Sequence, residues 1–183
     1  MLKIKLESHK RYKDGSLDKL TIALALLETT LNQQEFKDKV LNFKSDKTEG
    51  GTFHFIKYIK KRRTELQRYS NKEIYDKVIA GHGTEGKDTV IKLNLVLKRG
   101  SGGSVVGYRK GGKIYTYKTD FLEMSHGKLA AHIFHEYTHT IGFKHSKKDK
   151  RDPLRNCFAV PYALGNIVEI ITTGSNTRNC IYQ

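Results

Sequence analysis

Apolar and polar residues alternate from the start of the chain. Leu2, Ile4 and Leu6 are separated by Lys3 and Lys5, the two-residue period of a half-buried strand. The period changes after the turn pair Asp14-Gly15. With Ser16 available as a cap, Leu17, Leu20, Leu24, Leu27 and Leu31 recur every three or four residues and predict a long helix with one apolar stripe. Such a stripe can serve a partner helix, but a single domain needs it to cover a sheet face, and that is the expectation here. A shorter helix carrying Phe36, Val40 and Leu41 follows, before the Gly50-Gly51 break. Thr52 to Ile59, rich in aromatic and β-branched residues, predicts a second strand.

Ser70 and Glu73 stand at capping-box spacing ahead of Ile74, Tyr75, Val78 and Ile79, with Gly81 placed to close that helix. Thr89 to Lys98 alternates strictly and puts Ile91, Leu93, Leu95 and Leu97 on one face of a strand. After the loop Gly100 to Gly103, Val105 to Arg109 and Lys113 to Lys118 flank Lys110-Gly111-Gly112, a hairpin with glycines at the positive-φ positions. Ser125 caps the next helix, and Leu164 to Ile171 predicts a last one. The order strand, helix, strand, helix, strand, hairpin, helix is that of an α/β or α+β domain, one twisted mixed sheet backed by helices.

The helix opened by Ser125 has two kinds of face. Leu129, Ala130, Ile133, Phe134, Tyr137 and Ile141 share one apolar arc, while His135 and His139 lie outside it. The stretch His135 to His145 reads HEYTHTIGFKH and fits H-E-x-x-H-x-x-G-x-x-H at every fixed position. At about 100° per residue, His135 and His139 stand one turn apart and can reach one metal ion. Glu136 points to one side of them, where a carboxylate can act as a general base on water without being a ligand. Gly142 ends the helix and lets the chain turn, so that His145 can return to the same ion. Three neutral imidazoles suit one zinc ion and leave a fourth position for water, the arrangement of a catalytic site. His132 lies one turn earlier on the same arc. A fourth imidazole would close the site, and its position farther back along the axis argues that it is not a ligand. His9, His54, His82 and His126 have no partner at ligand spacing.

A length of 183 residues accommodates one well-buried core, and the chain is read as a single catalytic domain, with residues 1–142 as an upper subdomain and 143–183 as a lower one. No run of eighteen apolar residues occurs, and MLKIKLESHKRYKDG lacks the apolar region of a signal peptide, so no membrane span is expected and localisation stays open. The 34 basic against 19 acidic residues give a formal charge of +15, which attracts something anionic: nucleic acid, an acidic polymer or envelope, or acidic protein segments. The densest basic run, Lys57 to Arg63, reads as a solvated face before it reads as a nucleic-acid site. Two cysteines, Cys157 and Cys180, exclude a Cys-rich zinc module and leave two alternatives, one disulfide or two buried thiols.

The motif and the element order together resemble the metzincin clan of zinc metallopeptidases. The resemblance implies that His135, His139 and His145 are the three ligands of one catalytic zinc, Glu136 the general base and Gly142 the hinge between subdomains. Ser146, after the third histidine, is similar to the matrix-metalloproteinase form. The segment before the metal helix in that clan supplies an edge strand for an extended substrate, and Val105 to Lys118 occupies that place. One departure is plain: the clan has a methionine in a turn below the zinc, whereas Met1 and Met124 both precede His145. The local counterpart is Cys157 to Tyr162, with Val160 in the apolar place. In astacins and serralysins a tyrosine two residues after the methionine approaches the zinc, which makes Tyr162 a candidate to stabilise a developing oxyanion. Val160-Pro161 is expected to aim it, since proline biases the preceding valine toward an extended conformation.

These residues predict a zinc-dependent endopeptidase, a monomer acting on a protein or peptide substrate, acidic segments included. The alternative is a basic protein that binds nucleic acid or an anionic surface and carries a structural or vestigial zinc, a reading that an intact Glu136 disfavours.

Overall fold

The alternating N-terminal residues form β1 (Leu2–Lys10), which runs parallel to β5 (Asp88–Lys98), the strand of strictest alternation. The computed structural model describes residues 1–43, 56–59, 62–66, 70–103, 105–144 and 159–175. Beyond β5 the sheet continues with β7 (Lys113–Tyr117), parallel to β5, and ends with β6 (Gly107–Lys110), antiparallel to β7. The order is β1-β5-β7-β6, and the short β4 (Thr84–Glu85) pairs with the first residues of β5, making an open mixed sheet of five strands. The turn between β6 and β7 holds Gly111 and Gly112 at φ 58° and 72°, as the hairpin reading requires.

Six helices are described: α1 (Gly15–Leu31), α2 (Gln34–Leu41), α3 (Asn71–Ile79), α4 (Lys118–Glu123), α5 (His126–Thr140) and α6 (Val160–Thr173). The leucine stripe of α1 covers the sheet: Leu20, Leu24, Leu27 and Leu31 are buried in one core with Ile91, Leu93, Leu95 and Leu97 of β5 and with the apolar arc of α5. Val160, Leu164, Ile167 and Val168 of α6 enter the same core. At α3, Ser70 and Glu73 form the reciprocal capping box, with Ser70 N donating to Glu73 Oε2 at 2.7 Å and Glu73 N to Ser70 Oγ at 3.2 Å. Gly81 then turns the chain at φ 57°, where an added Cβ would lie 2.7 Å from the Val90 carbonyl oxygen.

Several expectations are corrected. Ser16 does not cap α1; the helix starts at Gly15, and Ser16 Oγ instead bonds the Lys13 backbone, accepting from its N–H at 2.8 Å and donating to its carbonyl at 2.7 Å. The strand expected over Thr52 to Ile59 is described only as β2 (Ile56–Ile59), which pairs antiparallel with an unforeseen β3 (Arg62–Leu66) in a separate two-stranded sheet. Thr52 to Phe55 lie outside the described residues. The helix expected over Leu164 to Ile171 is longer and begins at Val160. Proline at the second helical position is compatible with this, because the first N–H groups of a helix have no intrahelical acceptor.

The outer side of β1 is covered by polar side chains of α1. Asn32 accepts from Leu2 N at 2.9 Å and donates to Leu2 O at 2.8 Å, and Glu28 Oε2 accepts from Ile4 N at 2.6 Å. At Leu2 and Ile4 the strand edge is satisfied in this way and is unavailable to another chain. Asn32→Ala strips two bonds from a partly buried backbone and should destabilise the fold by about 1–3 kcal/mol, read as a lower urea midpoint at unchanged m-value. An unshifted midpoint would show that β1 is held by other means.

Candidate metal centre

Helix α5 is fixed at both ends. Ser125 Oγ accepts from Lys128 N at 3.3 Å at its start. At its end Gly142 N donates to His139 O at 3.3 Å and Phe143 N to Thr138 O at 3.1 Å. This pair of bonds is a Schellman closure, which needs a positive φ at the residue after the cap, and Gly142 supplies φ 101°. Phe143 is fully buried behind it.

The closure also orients a functional side chain. The Phe143 carbonyl lies 2.8 Å from His139 Nδ1. A carbonyl only accepts, so Nδ1 carries the proton and Nε2 keeps its lone pair, the tautomer a metal ligand requires. One turn back, His135 faces His139 edge to face, with ring centroids 5.0 Å apart. Both imidazoles are half-buried, and Glu136 between them in sequence is 6% exposed. The nitrogen and oxygen donors of His135, Glu136 and His139 lie within 4.8 Å of one another, close enough to hold one metal ion. The donor set, two imidazoles and a carboxylate, fits a divalent transition metal.

Helix α6 forms one wall. It crosses α5 so closely that a Cβ on Gly165 would stand 3.3 Å from Ala131 O and 3.3 Å from His135 Cβ. At the other end of the pair, a Cβ on Gly127 would stand 2.6 Å from Thr172 Oγ1 and from Thr173 Cγ2. The two contacts make the helices antiparallel, with the first turn of α6 beside the histidines. Tyr162 sits in that turn, and its ring meets His135 at a centroid distance of 4.5 Å and 60°. The route by which it arrives differs from the expected one: Val160 opens the helix, and the extended residue is Ala159, at φ −66° and ψ 129°. Helix packing, not a rigid extended Val-Pro pair, places the ring.

No family model, curated protein or solved structure matches this chain. The site therefore rests on its own residues. His145, Ser146, Cys157 and Cys180 lie outside the described residues, so the third ligand and the two alternatives for the cysteines stay as read from the sequence.

The other histidines have separate work. His132 turns toward the sheet, where its Nε2 is 3.1 Å from Thr116 Oγ1, and it takes no part in the metal group. His82 Nδ1 accepts from Lys92 N at 3.0 Å and closes a donor of β5. His9 and His126 are exposed, and His54 lies outside the described residues. Sequence reasoning missed the Phe143 carbonyl and Gly165. Each left a trace, an apolar residue just after the helix-ending glycine and a small residue inside an apolar helix, but neither trace says which helix it will face.

Burial pushes the His132 imidazole down from 6.5 to about 4. As pH falls from 6.5, the unfolded chain takes up a proton that the folded one refuses, so this group lowers stability between about pH 6.5 and 4 and is neutral in effect above. In His132→Leu, denaturant midpoints should fall less steeply across that window than in the wild type. Identical slopes would show the ring to be solvated.

Proposed function

We infer that the chain is a zinc-dependent endopeptidase. The observation that carries this reading is the pairing of two half-buried imidazoles with one buried carboxylate inside 4.8 Å, with the His139 tautomer set by a backbone carbonyl. His135 and His139 would hold the ion, with His145 as the third ligand that the motif implies. Bound zinc supplies Lewis-acid polarisation of a peptide carbonyl and a lowered pKa for water.

The rest falls to side chains. Glu136, next to His135 in sequence but rotated about 100° from it on the helix, is proposed as base rather than ligand. One carboxylate oxygen takes a proton from water as the oxygen adds to the carbonyl carbon, then passes it to the amine nitrogen as the C–N bond breaks. Tyr162, against His135, is proposed to donate its phenolic hydrogen to the oxygen on which charge develops, an interaction worth most in the transition state. β6, the terminal strand beside α5, is the edge along which an extended substrate would pair. With a net charge of +15, acidic polypeptide segments are the favoured substrates.

Chelator-sensitive cleavage of a denatured protein tests the class. Glu136→Ala should keep about one zinc per chain by metal analysis and lose about 10²- to 10⁴-fold in rate. Loss of zinc in that variant would make Glu136 a ligand. Substituting alanine for His135, His139 or His145 should lower zinc occupancy, and an unchanged content removes that residue from the ligand set. Tyr162→Phe should lower kcat while KM, zinc content and Tm hold, the pattern of an interaction made only in the transition state. A normal rate in that variant would leave the ring a packing role alone. Steeply salt-dependent nucleic-acid binding without cleavage would favour the basic binding protein instead.

A further inference from the structure

The ring of His132 lies where α5 meets the outer strands of the sheet. Its Nε2 bonds Thr116 Oγ1 on β7 at 3.1 Å, and Thr116, only 1% exposed, is the register partner of Gly107 on β6. Gly107 leaves room for the ring: a Cβ there would stand 2.7 Å from His132 Cε1 and Nε2, and 2.2 Å from the Tyr115 carbonyl oxygen. The Thr116 hydroxyl also interacts with the Tyr12 phenol, itself 4% exposed. One imidazole therefore touches both members of the β6–β7 pair, a single helical turn before His135.

Building on the peptidase reading, we propose that His132 is a positioning residue, holding β6 at a set distance from the metal helix. An extended polypeptide paired along β6 would then deliver one peptide bond to His135, Glu136 and His139. β6 is four residues long and ends the sheet. A short terminal strand is weakly held by its ladder alone and twists readily. The partly buried bond to Thr116, with the ring seated on Gly107, removes that freedom at the end of β6 nearest α5. A substrate lying on β6 inherits the same constraint, and displacement of about 1 Å at a reacting bond costs on the order of 10² in rate. The substrate class follows: polypeptides long enough to pair with β6, in preference to dipeptides.

Thr116→Val keeps the shape of the side chain and removes its hydroxyl, while Thr116→Ser keeps the hydroxyl. The zinc-loaded full chain is compared in both forms, by amide hydrogen exchange over Tyr108 to Lys110 and by kinetics on a blocked decapeptide and a blocked dipeptide. In Thr116→Val, exchange should be about tenfold faster or more and KM for the decapeptide about fivefold higher or more, while dipeptide cleavage and zinc content stay within about twofold. Thr116→Ser should behave as the wild type. Unchanged exchange in Thr116→Val, or an equal loss on both peptides, overturns the proposal. If Thr116→Val does not fold, the double variant Thr116→Val, His132→Leu removes both partners of the bond and gives the same readouts. The exchange measurement needs no activity: if the wild type cleaves neither peptide, the peptidase reading falls by itself, and exchange still decides whether His132 holds β6.

Discussion

Gly127 and Gly165 let α5 and α6 approach closely, and the contact of Tyr162 with the metal group depends on that approach. A Cβ at Gly127 would stand 2.6 Å from Thr172 Oγ1 and one at Gly165 3.3 Å from Ala131 O, so a side chain at either place would make its neighbours shift. With the helices in contact, Tyr162 is pressed on His135, and Val160, Leu164 and Val168 complete the core. Close packing makes such a crossing stiff, since a gap of even a methyl group forfeits contacts along its whole length. The far end of α5 is settled by a local device, the closure at Gly142 that returns the Phe143 carbonyl to His139. One imidazole is thus positioned by tertiary packing and the other by the end of its own helix.

The two borders of the sheet are treated differently. The start of β1 is closed by Glu28 and Asn32, whose side chains take the backbone bonds at Leu2 and Ile4 that another strand would take. At the opposite border His132 bonds Thr116 of β7, and its ring lies against Gly107 of β6. His82, in the turn after α3, accepts from Lys92 N of β5.

The basic charge is spread over the surface and is tied to local structure where it can be traced. Lys5 and Lys92 share Glu85, and these exposed pairs contribute little to stability. Lys98 lies over the rings of Tyr108 and Tyr117, at 5.1 and 4.7 Å, beside a stacked Tyr108–Tyr115 pair across β6 and β7. Such cross-strand contacts stiffen the outer face of the sheet. No helix among the described residues is long and apolar enough to cross a membrane.

Periodicity determined β1, α1, α3, β5 and α5, because each is amphipathic with a period that one type of backbone alone satisfies, and the Gly111-Gly112 pair marked the β6–β7 hairpin. Spacing along one helix likewise determined that His135 and His139 share a side, since four residues make about one turn whatever surrounds them. Capping at Ser70 and Ser125 was legible for the same reason, that both partners lie within four residues. The start of α1, the strand β3, the helix α4 and the first turn of α6 were not, as short or weakly patterned segments take their form from what they pack against. Only the tertiary structure decided that Gly165 lies on His135, that Tyr162 reaches the same ring, and that His132 turns to Thr116 rather than to the metal group. Those contacts join residues 16 to 30 positions apart, and no local period carries information over that distance, because it depends on how far two helices and a sheet can close on one another.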